Sequence, residues 1–291
     1  MSTFREITEK LPNSMEIELK ALPDSIVSEV EEIRLRCGQN IRLQCGARER
    51  ILSHIVTQED LQKTLNNLIQ FSYYAYEEDL AKGFVTIEGG HRIGLCGKTV
   101  VKKGQPGLIK EISSLNIRFA KEIKGCASKV MKEILADRRP VNTLIISPPG
   151  CGKTTLLRDI ARELSYGRCK VAICDERSEL AGMYHSAPSF DLGPRCDVLD
   201  GCEKAYGIPM LIRSMSPQVI ITDEIGKTED ISAAQQCLVS GITLITSIHG
   251  SSYNDIEQSN IGQLVKNKVF KRLIYLSNEK GVGTVKEITH V

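Results

Sequence analysis

A glycine-rich loop with one lysine and two threonines is the strongest sign of chemistry in this chain of 291 residues. Residues 147–155 read Ser-Pro-Pro-Gly-Cys-Gly-Lys-Thr-Thr, which matches the spacing G-x-x-x-x-G-K-[ST] except that Ser147 replaces the first glycine. In such a loop, successive backbone N–H groups and a helix N-terminus face one concavity and can bind a polyphosphate. The loop therefore predicts an ATP site.

Each side chain of the loop has an expected role. Lys153 reaches the β- and γ-phosphates as a point charge, and the Thr154 hydroxyl coordinates Mg²⁺. Gly150 and Gly152 let the backbone approach the phosphates where a Cβ would collide. The residues expected to bind the nucleotide are Pro149, Gly150, Cys151, Gly152, Lys153, Thr154 and Thr155.

Two adjacent carboxylates, Asp223 and Glu224, follow residues 219–222, of which the first three are apolar. An aspartate at the carboxyl end of a buried strand can hold metal-bound water beside a phosphate loop, and the next glutamate can polarise the attacking water. Asp223 is accordingly expected to be a magnesium ligand with Thr154, and Glu224 a catalytic residue. Together with the loop, the pair predicts Mg²⁺-dependent ATP hydrolysis.

Two further polar groups follow apolar runs. Asp175 and Glu176 come after residues 170–174, where a site and a solvated helix start are both compatible with the pattern. His249 follows residues 243–247 and either senses the γ-phosphate or is structural. The other four histidines lack metal-ligand spacing, and the ten cysteines contain no C-x-x-C pair, so neither set predicts zinc or a redox dithiol.

The elements that must position these groups divide the chain in two. From about residue 121, apolar segments without alternation are separated by helical patterns, including one at 127–136, which predicts an α/β domain with a parallel-rich sheet. Before that point, residues 33–43 predict a hairpin, 58–73 a helix, and 83–90 with 92–97 two strands joined at glycines. We therefore expect a smaller N-terminal α+β domain, 1–120, and a P-loop domain, 121–291.

Composition argues against several partners. The net charge is +2, aromatic residues make up 5% and tryptophan is absent, so loops able to stack on and neutralise a nucleic acid are not expected. No apolar run approaches the roughly 20 residues that span a bilayer, and the N-terminus lacks a signal-peptide pattern. We expect a cytoplasmic protein with no nucleic-acid partner.

Several motifs together resemble one family. They lie at residues 32–38, 89–94, 113–118, 147–155, 175–179, 213–217 and 219–226, and so extend over nearly the whole chain. On these residues the chain resembles the stage III sporulation protein AA family of endospore-forming bacteria. More broadly, it is similar to the ATPases of type II and type IV secretion and of pilus retraction.

The resemblance implies a homohexamer whose subunits join an N-terminal α+β domain to a RecA-like P-loop NTPase core. It also implies an acidic box at Asp175, Glu176 and Glu179 and a histidine box at His249 that complete the catalytic site. N-terminal arginines at positions similar to Arg92 and Arg118 would contact the phosphates. By the same resemblance, the protein would lie at the membrane around the forespore, on the mother-cell side, and energise membrane-embedded channel proteins.

Two other functions stay open at this point. A nucleic-acid-dependent RecA-like ATPase needs clustered basic and aromatic loop residues, which the sequence offers only sparsely. A nucleotide-gated assembly switch with little turnover needs no catalytic glutamate, although Glu224 does not exclude it. Arg213 has no role that the pattern assigns.

Overall fold

A computed structural model describes residues 2–102, 105–279 and 281–291. The chain divides into two compact units, Met1–Ala120 and Lys121–Val291. The first unit has one hydrophobic core, and the second has two, one on each face of its main sheet.

The N-terminal unit is an antiparallel sheet with helices on one face. Its six strands have the order β3-β2-β1-β6-β5-β4, with bounds β1 Glu32–Arg36, β2 Asn40–Cys45, β3 Arg48–Ile55, β4 Phe84–Ile87, β5 His91–Lys102 and β6 Gln105–Arg118. Side chains alternate along β1: Ile33 and Leu35 are buried in the core with helical residues, and the glutamate and arginines between them face away from it. The helices are α1 Ser2–Thr8, α2 Asn13–Lys20, α3 Asp24–Val27, α4 Gln58–Leu68 and α5 Glu77–Ala81.

The predicted hairpin at 33–43 is confirmed by antiparallel pairing of β1 with β2. The predicted strands around the glycines at 89 and 90 are also confirmed, since β4 pairs with β5. The helix predicted over 58–73 is wrong beyond Leu68. Gln70 and Phe71 take positive φ angles of 51° and 58°, which an α-helix cannot accommodate, and a separate short 3₁₀ turn follows.

The second unit contains a seven-stranded sheet in the order β13-β10-β14-β15-β9-β16-β17. Its members are β9 Thr143–Ser147, β10 Val171–Asp175, β13 Cys196–Asp200, β14 Val219–Glu224, β15 Thr243–His249, β16 Arg272–Ser277 and β17 Thr284–His290. All neighbouring pairs are parallel except β16 with β17. Short two-stranded pieces are β7 Leu135–Ala136 with β8 Arg139–Pro140, and β11 Met183–Tyr184 with β12 Ala187–Pro188.

Helices cover both faces of this sheet. They are α6 Ser128–Ile134, α7 Lys153–Tyr166, α8 Lys204–Met215, α9 Thr228–Val239, α10 Tyr253–Glu257 and α11 Gly262–Lys266. Along β9, Leu144 and Ile146 belong to one core and Ile145 to the other, so the unalternating apolar run is explained by burial on both sides. The α/β prediction with a parallel-rich sheet is therefore confirmed.

The helix predicted at 127–136 is shorter than expected. α6 ends at Ile134, and residues 135–140 form a small hairpin instead. Asp137 and Arg138 have φ angles of 49° and 63°, which turn the chain back. In the described residues, no helix is both long and apolar enough to cross a bilayer.

Candidate nucleotide-binding and hydrolytic site

Four neighbouring strands of the second unit end at one edge of the sheet, and each ends at a residue singled out by the sequence. β10 ends at Asp175, β14 at Glu224, β15 at His249 and β9 at Ser147. The register places His249 directly opposite Ser147. Because parallel strands present their carboxyl ends on the same side, the phosphate loop and the acidic pair meet there.

The phosphate loop joins β9 to α7. Gly150 and Gly152 have φ angles of 72° and 84°, in the left-handed region that favours glycine. A Cβ on Gly152 would also lie 3.1 Å from the Val282 side chain and 3.3 Å from Gly283. Gly283 N–H donates to the Cys151 carbonyl at 3.1 Å, so a loop near the end of the chain supports the phosphate loop. Nothing in the local sequence indicates that support.

Lys153 is turned into its own loop. Its Nζ donates to the Ser147 carbonyl at 3.0 Å and to the Pro148 carbonyl at 3.2 Å, and contacts His249 Nδ1 at 2.8 Å. Burial lowers the pKa of this ammonium, and the charge of Glu224 raises it. The lysine is therefore held by neutral oxygens and an imidazole, which a phosphate can replace.

His249 bridges the phosphate loop and the acidic pair. A lysine ammonium can only donate, so Nδ1 of His249 accepts and Nε2 carries the proton. That nitrogen lies 3.0 Å from Glu224 Oε2. The structure thus brings together Lys153, His249 and Glu224, three residues that the sequence analysis placed in one site.

Asp223 is paired with a lysine that the sequence analysis missed. The Asp223 carboxyl is buried, and Lys204 Nζ lies 2.7 Å from its Oδ1. The same ammonium lies 2.6 Å from Glu176 Oε2, and Lys227 lies 3.2 Å from Glu176 Oε1. Burial raises the pKa of Asp223, and the charge of Lys204 acts in the opposite direction. These carboxylates belong to a network of alternating charges.

The residues fit a magnesium ion. The Asp223 carboxyl is buried, and its Oδ1 contacts the Lys204 ammonium at 2.7 Å. Such a buried, ionisable oxygen is a suitable hard ligand, and Thr154 is the second residue of α7. No cluster of three or more His, Cys, Asp or Glu side chains that could hold a metal occurs among the described residues. A magnesium ion does not need such a cluster, since nucleotide phosphates and water molecules complete its coordination shell.

The carboxylate of Asp175 organises a loop. Its two oxygens accept backbone N–H groups from Glu179, Leu180 and Ala181 at 2.8–2.9 Å, and the side chain is fully buried. Burial raises its pKa to about 7, against the effect of these donors. Both oxygens of Asp175 are therefore occupied by backbone donors, whereas the Glu176 carboxylate contacts Lys204 and Lys227.

Arg92 and Arg118 lie opposite each other on β5 and β6 of the N-terminal unit. Arg92 stacks on the Phe84 ring at 3.7 Å, and Arg118 pairs with Glu32 at 2.8 Å. Both line an open cavity of about 420 Å³ on the sheet face that the helices leave uncovered, together with Arg34. The two arginines are therefore strand-surface residues, and they also share a basic cavity.

The fold is that of the secretion-type ATPases. The structure superposes on the Legionella pneumophila ATPase DotB with a TM-score of 0.58, at 18% identity, over 87% of this chain and 73% of that one. It superposes on the pilus retraction motor PilT, solved with bound ADP, with a TM-score of 0.58, at 13% identity, over 87% and 76%. At these identities the likeness concerns the fold alone, and it confirms the predicted RecA-like core with an added N-terminal domain.

The sequence comparisons are more specific. Residues 6–290 match the family model described as sporulation stage III, protein AA. Stage III sporulation protein AA of Bacillus subtilis is 43% identical over an alignment of 291 residues, which covers 98% of this chain and 94% of that protein. The chain belongs to this family, and the resemblance inferred from its motifs is confirmed.

Proposed function

We propose that this protein is a Mg²⁺-dependent ATPase whose site lies at the carboxyl edge of the parallel sheet. The observation that carries the proposal is the continuous contact from Lys153 through His249 to Glu224. It joins a phosphate-binding group to a candidate base for water. An ATP site without hydrolysis would need the first of these residues but not the last.

Nucleotide binding begins with an exchange of partners. The Lys153 ammonium leaves the carbonyls of Ser147 and Pro148 for the β- and γ-phosphates, and the backbone N–H groups of residues 150–155 surround them. Thr154 and Asp223 would hold a magnesium ion, which would supply neutralisation of the phosphate charge. No covalent intermediate with the protein is required.

Hydrolysis then depends on Glu224. Its carboxylate polarises a water molecule, which attacks the γ-phosphorus as the bond to the ADP oxygen breaks. His249 keeps this carboxylate in place through its Nε2 proton. Once Lys153 has moved to the phosphates, Nδ1 of His249 is free, so the imidazole can respond to the presence of the γ-phosphate.

The remaining predicted catalytic residues take different roles. We assign Asp175 to holding the loop at residues 175–181 and Glu176 to the charge network around Asp223. Arg92 and Arg118 are proposed to contact the nucleotide phosphates and stabilise the charge of the transition state. That assignment derives from the family and from the basic cavity that the two arginines share.

In the cell, we propose a homohexameric motor of endospore formation. It would act at the cytoplasmic surface of the membrane around the forespore, on the mother-cell side. There it would energise the assembly of, or transport through, membrane-embedded channel proteins. Family membership and the secretion-type fold support this role. A nucleic-acid partner is not proposed.

Turnover measurements test the enzymatic proposal against the assembly switch. Wild type should hydrolyse ATP with Mg²⁺ and not with EDTA, and Glu224→Gln should bind ATP with turnover reduced by about 100-fold. Equal and negligible rates in both proteins would favour the switch. Light scattering with a non-hydrolysable ATP analogue tests the ring: a mass of six subunits supports the motor, and a monomer at all concentrations contradicts it.

A further inference from the structure

A buried lysine that the reaction above does not use lies between two of its carboxylates. Lys204 is the first residue of α8 and is 3% exposed. Its ammonium lies 2.6 Å from Glu176 Oε2 and 2.7 Å from Asp223 Oδ1. A lysine is rarely this buried unless its charge is compensated, and here two carboxylates compensate it.

The position of Lys204 conflicts with metal binding at Asp223. Two cations at one carboxylate repel each other strongly in a poorly solvated site. Lys204 has a second partner in Glu176, whose other oxygen is held by Lys227. The ammonium can therefore release Asp223 without losing all compensation.

We propose that Lys204 is a built-in counter-ion, which occupies Asp223 when the site is free of metal and stays with Glu176 alone when the magnesium–nucleotide complex is bound. The inference rests on the proposed ATPase site. It makes Lys204 a positioning residue that sets the Mg²⁺ concentration needed for nucleotide binding. It also connects the site to α8 and, through Glu176, to Lys227, the residue that precedes α9.

The test measures binding and does not depend on turnover. Wild type, Lys204→Met and Lys227→Met are titrated with a fluorescent ATP analogue at pH 8.5, first in EDTA and then at increasing free Mg²⁺. Lys227 is the matched control, because it is exposed and pairs with Glu176 without reaching Asp223. Lys204→Met should lower the half-saturating Mg²⁺ concentration by about fivefold or more, since the competing charge is gone. Lys227→Met should change the half-saturating Mg²⁺ concentration by less than about twofold.

The outcomes separate this inference from the proposed function. Wild type that binds no nucleotide, or that ignores Mg²⁺, removes the ATPase proposal itself. Wild type that requires Mg²⁺, with an unchanged or higher requirement in Lys204→Met, overturns only the role of Lys204.

A second measurement uses the wild-type protein and covers the case in which Lys204→Met does not fold. In a crystal structure with Mg²⁺ and a non-hydrolysable ATP analogue, Lys204 should lie beyond ion-pair distance from Asp223 while keeping its contact with Glu176. An ion pair between Lys204 and Asp223 retained in that metal-loaded structure overturns the inference.

Discussion

The charged groups of the two units are held in opposite ways. At the sheet edge of the second unit, Lys153 and Lys204 are buried, and each contacts several fixed partners. On the open face of the N-terminal sheet, the side chains of Arg34 and Arg118 are 38% and 55% exposed and share one partner, Glu32. A ligand must therefore exchange partners in the first region, whereas it can add to existing contacts in the second.

This difference predicts how substitutions act. Removing one member of a buried charge network leaves its partners uncompensated, which is costly. Removing an exposed arginine costs little stability, because surface ion pairs contribute about 0–1 kcal/mol. Large effects are expected in the buried network, and selective effects on catalysis are expected from the arginine face.

The largest expected effect is that of Lys153→Ala. The variant loses the point charge directed at the β- and γ-phosphates, so nucleotide affinity should fall by about 100-fold or more. Equilibrium titration with a fluorescent ATP analogue measures this loss, and circular dichroism checks that the fold persists. Lys129→Ala, at an exposed position on α6, is the control and should bind normally. Affinity within threefold of wild type would remove Lys153 from the site.

A second effect concerns the stability of the N-terminal unit in acid. His91 is 1% exposed, its Nδ1 accepts the Ala120 N–H at 3.0 Å, and burial lowers its pKa to about 4 from 6.5. Between these pH values the unfolded chain binds more protons than the folded one. The free energy of unfolding is therefore highest above pH 6.5, where His91 is neutral in both states. It decreases as the pH falls towards 4, by about 2 kcal/mol at pH 5.

The substitution His91→Gln tests this loss of stability in acid, because glutamine can still accept a hydrogen bond from the Ala120 N–H but does not titrate. Urea unfolding of the full chain at pH 7.5 and pH 5 should show a smaller drop in stability for the variant than for wild type. His185→Gln, at an exposed position, should keep the wild-type drop. Identical pH dependence in all three proteins would show that His91 is not a buried neutral group.

The smallest effects are expected on the arginine face. Arg92→Ala and Arg118→Ala should each lower kcat by about tenfold, with nucleotide affinity within about threefold of wild type, because transition-state contacts affect kcat selectively. Arg42→Ala is the matched control: it lies on β2 and pairs with Glu49 at 2.6 Å. Unchanged kinetics in the first two variants would make both arginines structural. The arginine face would then have no selective effect on catalysis.

Sequence reasoning anticipated the strand ends that carry the candidate site, because buried strands follow from short, contiguous patterns. The phosphate loop and the pair Asp223–Glu224 lie at the ends of apolar runs, and such runs form parallel strands whose carboxyl ends meet. It failed where partners are distant. Lys204 shows no local signal, because Glu176 is 28 residues away and the pairing exists only after α8 packs beside β10. Helix ends were also missed, because positive φ angles at Gln70 and Asp137 leave no clear mark in composition.

By itself, the sequence determined the class of fold, the family, and the residues that could bind phosphate and activate water. The fold class and the candidate residues follow from periodicity and from motif spacing, which act over a few residues, and the family follows from a resemblance that several motifs carry together. Only the tertiary structure decided that Lys153 rests on His249, that Asp175 holds a loop, and that Lys204 neutralises Asp223. The reason is physical: the energy of a charge depends on its burial and on its nearest partners, and both are set when distant segments pack together.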